Sequence, residues 1–225
     1  MKHVNLLRTL ACVVVSTLVL PSYGDESAPT DFQQISVSVC TEKVMGIDAI
    51  RVTKDMAVKA FDEPTFARIT GAAFKDGTIE VRVFSRLLKD APDFARGFIG
   101  IAFRINDDNS KFECIYVRPA NARVDDQVRR NHSIQYFAYP DFKFERLRKE
   151  SPEKYESYAD MGLNEWIDLT IDVKGTQAKL YVNGHKQPAL VVNDLKLGPD
   201  TSGSVGLWVD VGTEGYFANL KITPR

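Results

Sequence analysis

The segment EWIDLTIDVKGTQAKLYVNG, residues 165–184, decides the fold. Ile167, Leu169, Ile171 and Val173 alternate with Trp166, Asp168, Thr170 and Asp172. A period of two sends successive side chains to opposite faces, so the segment is a strand with one dry face and one polar face. QAKLYV, residues 177–182, repeats the pattern after a break at Gly175. Asn183-Gly184 is the dipeptide favoured in two-residue hairpin turns, and a hairpin is expected there with no chemistry attached.

Working outward, the same signal recurs with Gly, Asn and Asp between the runs. GTIEVRVF (77–84) alternates, whereas GFIGIAFRI (97–105) is almost continuously apolar, as suits a central strand covered on both sides. KFECIYVRP (111–119), SIQYFAY (133–139), ALVVND (189–194), GSVGLWVDV (203–211) and GYFANLKI (215–222) follow. In GSVGLWVDV, Val205, Leu207 and Val209 point inward, which sends Trp208 and Asp210 outward. Many short strands at this spacing predict an all-β, two-sheet antiparallel sandwich of the jelly-roll type. One segment breaks the pattern. PDFKFERLRKESPEKYESYADMG, residues 140–162, has mixed charge and an interior Pro152, and reads as a long, partly helical insertion with a helical turn around EKYESY.

Residues 1–24 have the form of a secretory signal peptide: Lys2 and Arg8 precede an apolar run from Leu10 to Leu20, then small residues. A lipid attachment at Cys12 is the weaker alternative. The expectation is a secreted or periplasmic chain, with residues 25–225 forming one domain. Lys2 and Arg8 leave with the leader, so 29 basic residues become 27 against 30 acidic, a net charge of −3. That balance gives no footprint for nucleic acid or an anionic membrane. Cys40 and Cys114 would remain, as a disulfide or as two buried thiols. With His3, His132 and His185 scattered, no zinc spacing exists and no metal or cofactor is expected. NDDNSKFE (106–113) clusters oxygen ligands but lacks the glycine and spacing of a calcium loop, and a hairpin turn explains it better.

RPANARVDDQVRRNHSIQY, residues 118–136, is unusual for a connection because turns have no backbone use for repeated Arg and Gln. In one account, Arg118, Arg123, Arg129 and Arg130 pair with Asp125, Asp126 and acids of the insertion and hold the loop over the sheet. In the other, Arg118, Asn121, Arg129 and Gln135 face a ligand with Tyr116. His132 titrates near neutrality and could be a base, although a lone histidine is more often structural. Asn131-His132-Ser133 also matches a glycosylation acceptor, which matters only in a eukaryotic host.

GFIGIAFRINDD, YVRPANARVDDQVRRNHSIQY, KYESYADMGLNEWIDLTIDV, AKLYVNG, LVVNDLKLG and GSVGLWVDVGTEGYFANLKI together resemble secreted bacterial domains of the concanavalin A-like lectin/glucanase superfamily. The likeness is to the laminin-G-like group that includes 3-keto-disaccharide hydrolase domains, and it runs from about Gly71 to Ile222. It implies a concave sheet lined by aromatic and polar side chains that handles carbohydrate. Sugars offer apolar ring faces edged with hydroxyls, which aromatic plates and bidentate Asp, Asn, Gln and Arg groups match. Trp208 is the expected plate, unless a loop covers it. The glucanases of the superfamily carry E-x-D-x-x-E on one strand, and no such pattern occurs here. Carboxylates for glycoside cleavage would come from Asp126 or Glu113, with Asp125 and Glu156 as alternatives, and His132 as a further catalytic candidate. A 3-keto sugar relaxes the need for two carboxyls, because its ketone acidifies the neighbouring C–H and elimination asks chiefly for one base and an electrophile. Three functions stay open: a glycoside-cleaving enzyme, a non-catalytic carbohydrate-binding module, and a protein-contacting laminin-G-like domain.

Overall fold

The computed structural model describes residues 31–71 and 73–225, so the expected leader and Cys12 lie outside the described residues. Strands are numbered in chain order. One seven-stranded sheet runs β1 (Phe32–Ile35), β4 (Phe66–Ile69), β13 (Ser204–Val209), β6 (Ile99–Ile105), β7 (Phe112–Val117), β8 (Ile134–Tyr139) and β9 (Glu156–Ser157). The other runs β12 (Leu190–Val192), β11 (Gln177–Val182), β10 (Trp166–Lys174), β5 (Gly77–Leu87), β14 (Thr213–Pro224), β3 (Ile47–Lys54) and β2 (Val37–Val44). The pairings are antiparallel, and the two sheets form a jelly-roll sandwich.

Alternation decides which faces meet. Ile167, Leu169, Ile171 and Val173 of β10 are buried against the partner sheet, while Asp168 is exposed. Across the gap, Val205, Leu207 and Val209 of β13 and Ile99 and Ile101 of β6 close the core. Gly215 on β14 marks a close approach, since a Cβ there would fall 2.6 Å from Val209 Cγ1. The apolar run 99–105 became β6, the middle strand of its sheet, every residue of it buried. Burial of each such side chain is worth about 1.5–3 kcal/mol, enough to set the register without help from propensity.

Three details depart from the sequence reading. The two-residue turn falls at Gly175-Thr176 between β10 and β11; Asn183 and Gly184 have positive φ but open a longer connection to β12. In the insertion the helix is Phe144–Glu150, ahead of Pro152, and EKYESY instead contributes edge strand β9, paired with β8. Cys40 is exposed on one sheet and Cys114 buried in the other, both as free thiols. The 106–111 segment is a hairpin turn, with the Asn106 and Asp108 side chains capping the backbone N–H groups of Lys111 and Ser110.

Candidate functional site

The outer face of the first sheet carries a second layer of aromatics. Trp208, Tyr116 and Gln135 lie in one cross-strand row on β13, β7 and β8, with β6 between the first two and Phe137 and Cys114 beside the row. Gly100 occupies the same row opposite Tyr116; a Cβ there would sit 2.5 Å from Tyr116 Cα, so only glycine fits against β7 at this point, and no side chain stands between Tyr116 and Trp208. The Tyr116 and Trp208 rings thus approach to 4.8 Å between centroids. Loops at one end of the sheet wall this layer in and leave a hollow of about 540 Å3.

Its walls come from five connections. Phe61 and Asp62 follow β3, and Phe94, Arg96 and Phe98 precede β6. Arg118 and Asn121, on the β7 side, enter with helix α1 (Pro119–Ala122), and Arg129 and His132 with helix α2 (Gln127–Asn131). The insertion adds Phe144 and Arg148 from helix α3 (Phe144–Glu150), and Asp210 follows β13. Phe61 packs edge-on against Phe94 at 5.6 Å and against Phe144 at 6.1 Å, making a continuous aromatic wall. Phe94 is half exposed. The Arg118 and Arg148 guanidiniums lie over Phe144 at 5.6 and 5.2 Å, in cation–π range.

Arg118 anchors the loop. It is buried and donates to Tyr116 Oη at 2.6 Å, Glu156 Oε1 at 3.2 Å, Gln135 Oε1 at 3.3 Å and the His132 carbonyl at 3.1 Å. Glu156 also accepts from Arg148 Nε at 3.0 Å, and His132 Nδ1 lies 2.9 Å from its Oε1. Burial would raise the Glu156 pKa, but hydrogen bonds from Arg148 and the charges of Arg118 and Arg148 hold it below the usual carboxylate value. For His132, burial lowers the pKa, Glu156 opposes, and Arg148 and Arg118 add to the lowering. The imidazole is therefore mainly neutral at neutral pH.

Two carboxyl groups reach the hollow. Asp210 is buried and paired with Lys54 Nζ, and it accepts the Asp62 N–H at 3.0 Å. Asp62 is wholly buried, and Phe144 N donates to its Oδ2 at 2.7 Å. Burial pushes its pKa up to about 7, with the nearby Asp210 charge adding and the Phe144 N–H, Arg118 and Lys143 opposing. The backbone of Asp62 has φ 53°, a left-handed conformation that costs a non-glycine residue energy and recurs at functional positions.

Of the residues singled out in the sequence, Tyr116, Arg118, Asn121, Arg129 and His132 line this one hollow. Four others do not. Glu113 points between the sheets, where Tyr136 Oη and Leu197 N satisfy its carboxylate; its parity on β7 is opposite to that of Tyr116. Asp126 caps helix α2 by accepting the Arg129 N–H at 3.1 Å and stays on the exterior. Gln135 is buried beneath the floor, fixing Arg118. Trp208 faces outward from the core as its alternation predicts, but the 61–64 segment covers it, and its indole N–H donates to the Glu63 carbonyl at 3.0 Å. The plates that line the hollow are Phe61, Phe94 and Phe144 instead, Phe94 exposed and the other two partly buried. Of the ion pairs expected to hold the loop, those with acids of the insertion form, Arg118 with Glu156 and Arg123 with Asp160, and Arg123 also meets Glu165, while Asp125 and Asp126 pair with no arginine side chain among the described residues. Asp62 was missed because FDEPTF looks like an ordinary turn; Asp210 had a signal, being outward beside Trp208.

No protein-family model matches the chain, and no curated protein matches it. Among solved structures it is similar to the carbohydrate-binding module CBM66 from Bacillus subtilis, with 12% identity, TM-score 0.49, and coverage of 83% of this chain and 94% of that one. A candidate glycosyl hydrolase from Parabacteroides distasonis shares 12% identity at TM-score 0.47, covering 82% and 83%. Domain 4 of AbnA, an extracellular arabinanase from Geobacillus stearothermophilus, solved with arabinotriose, shares 11% identity at TM-score 0.45, covering 82% and 74%. With scores below one half, the jelly-roll assignment stands on the strand order and pairing of this chain itself.

Proposed function

We propose that this chain, exported to the periplasm or beyond, binds a glycan in the hollow above Tyr116 and cleaves a glycosidic bond there, with Asp62 as the proton-transferring group. The observation that carries the reading is a buried carboxyl without an ion pair among the described residues, set in the wall of a sugar-sized hollow with an aromatic face. Carbohydrate rings stack on such faces, and a group with a pKa about 7 is half in each protonation state where the protein works.

One free carboxyl, rather than two, favours elimination over ordinary hydrolysis. Asp210 is tied to Lys54 and Glu156 to two arginines. On a 3-keto glycoside, Asp62 would take the C2 proton, the electron pair would form the C1–C2 double bond, and the C1–O bond would break. The departing oxygen would then take the proton back from Asp62, which leaves the carboxylate as it began. The same ties support a second reading, a module that holds a glycan without turning it over.

Incubation of the purified chain with plain and 3-keto disaccharides separates the two. Product formed by the native chain and abolished in Asp62→Asn supports the enzyme. Calorimetric binding without product, weakened by Phe144→Ala, supports the module. Absence of both rules out each.

A further inference from the structure

Within that reading, we infer that the ligand is an acidic sugar, a uronide whose carboxylate is received by Arg96 and Arg129. The hollow holds four arginines, and they are not equivalent. Arg118 and Arg148 share Glu156. Arg96 donates to the Asp93 and Ala95 carbonyls at 2.6 and 2.8 Å and has no carboxylate partner among the described residues. Arg129 reaches Asn121 Oδ1 at 3.4 Å, and its buried Nε has no partner among the described residues. Both belong to the lining of the hollow, beside Phe94 and Phe98.

A folded chain has a cheap way to quiet surplus guanidiniums, which is to set an acid next to them. Here the nearby acids form no ion pair with either: Asp93 acts on Arg96 only through its charge, Asp126 caps helix α2, and Asp125 is exposed and unbonded to either arginine. Two half-buried forks of donors, left with only neutral acceptors, suit the two oxygens of a planar carboxylate. Burial lowers the Arg96 pKa, repulsion from Arg129 and Arg118 lowers it further, and the charge of Asp93 opposes without reversing the shift, as expected where positive charge outweighs negative. The aromatic wall of Phe61, Phe94 and Phe144 supplies the apolar face for the ring, so carboxylate and ring can be held together. A neutral sugar would leave the guanidiniums uncompensated.

The test is calorimetric titration of the full chain with trisaccharides of glucuronate, galacturonate and mannuronate, each as free acid and as methyl ester. The expected result is that at least one acid binds about tenfold or more tighter than its ester, the range of a charge-assisted bidentate contact. That preference should fall steeply in about 0.5 M salt. It should also disappear in the Arg96→Gln/Arg129→Gln double variant, whose affinities for acid and ester become equal, and persist in part in Arg129→Lys. Equal affinity of acid and ester for every sugar that binds overturns the inference but leaves glycan binding intact. A preference that survives the double variant overturns it as well. Failure of every acidic and neutral sugar to bind removes the glycan reading itself, and this inference with it.

Discussion

Replacing Asp62 by asparagine keeps the side-chain shape and the oxygen that accepts the Phe144 N–H, but removes the charge. In the native state Asp62 keeps its proton to about pH 7, against 3.8 for an ordinary aspartate. The folded form therefore binds more protons than the unfolded chain between those values. Stability from this group is fully present below about pH 4 and is lost as pH rises through about 7. At 1.36 kcal/mol per pH unit the loss amounts to no more than about 4 kcal/mol, part of it offset by water entering from the hollow. The asparagine side chain has nothing to ionise, so Asp62→Asn should match the wild type near pH 4 and exceed it by up to that amount at pH 8. Urea unfolding of both proteins at pH 4.5, 6 and 8 measures the difference directly. A difference that stays constant across the three pH values would show that Asp62 ionises like a surface aspartate, and the proton-transfer role would go with it.

Other perturbations should separate the site from its supports. Glu113→Gln or Tyr136→Phe should cost about 1–3 kcal/mol of stability by thermal unfolding and leave glycan affinity unchanged, because this pair faces the core. Phe61→Ala and Phe144→Ala should each weaken glycan binding by about 1 kcal/mol in calorimetry, whereas Trp208→Phe should lower the unfolding midpoint through loss of the bond to Glu63. Glu156→Gln should cost about 3–5 kcal/mol by leaving Arg118 buried without its anion. Since the native Glu156 pKa is depressed, the wild type should lose this contribution only as pH falls below the ordinary glutamate range, in the direction opposite to Asp62. An acid-side loss of equal size in Glu156→Gln would contradict that assignment.

Strand alternation made the sandwich readable because it is a local signal with a large energy behind it. The inward set of β10 and the middle position of β6 follow from residue order alone. The site was readable only in part. Tyr116, Arg118, Asn121, Arg129 and His132 stand close in sequence, so one loop brings them together. Asp62 depends on Phe144, 82 positions away, and on Asp210, 148 positions away. Nothing within FDEPTF encodes those partners. Trp208 failed as an exposed plate for the same reason: its direction is local, but the segment that covers it arrives from 145 residues upstream. Glu113 and Asp126 show the converse, polar residues near a site whose bonds are already committed to a core partner and a helix end.

The covering of Trp208 also equips the protein with an optical probe. The chain has two tryptophans. Trp166 lies on the outer face of the far sheet beneath Arg82, while Trp208 sits beside Tyr116 in the floor, ring against ring. Its emission will respond to a guest that presses on Tyr116, so a Trp166→Phe background would report occupancy of the hollow without any attached dye.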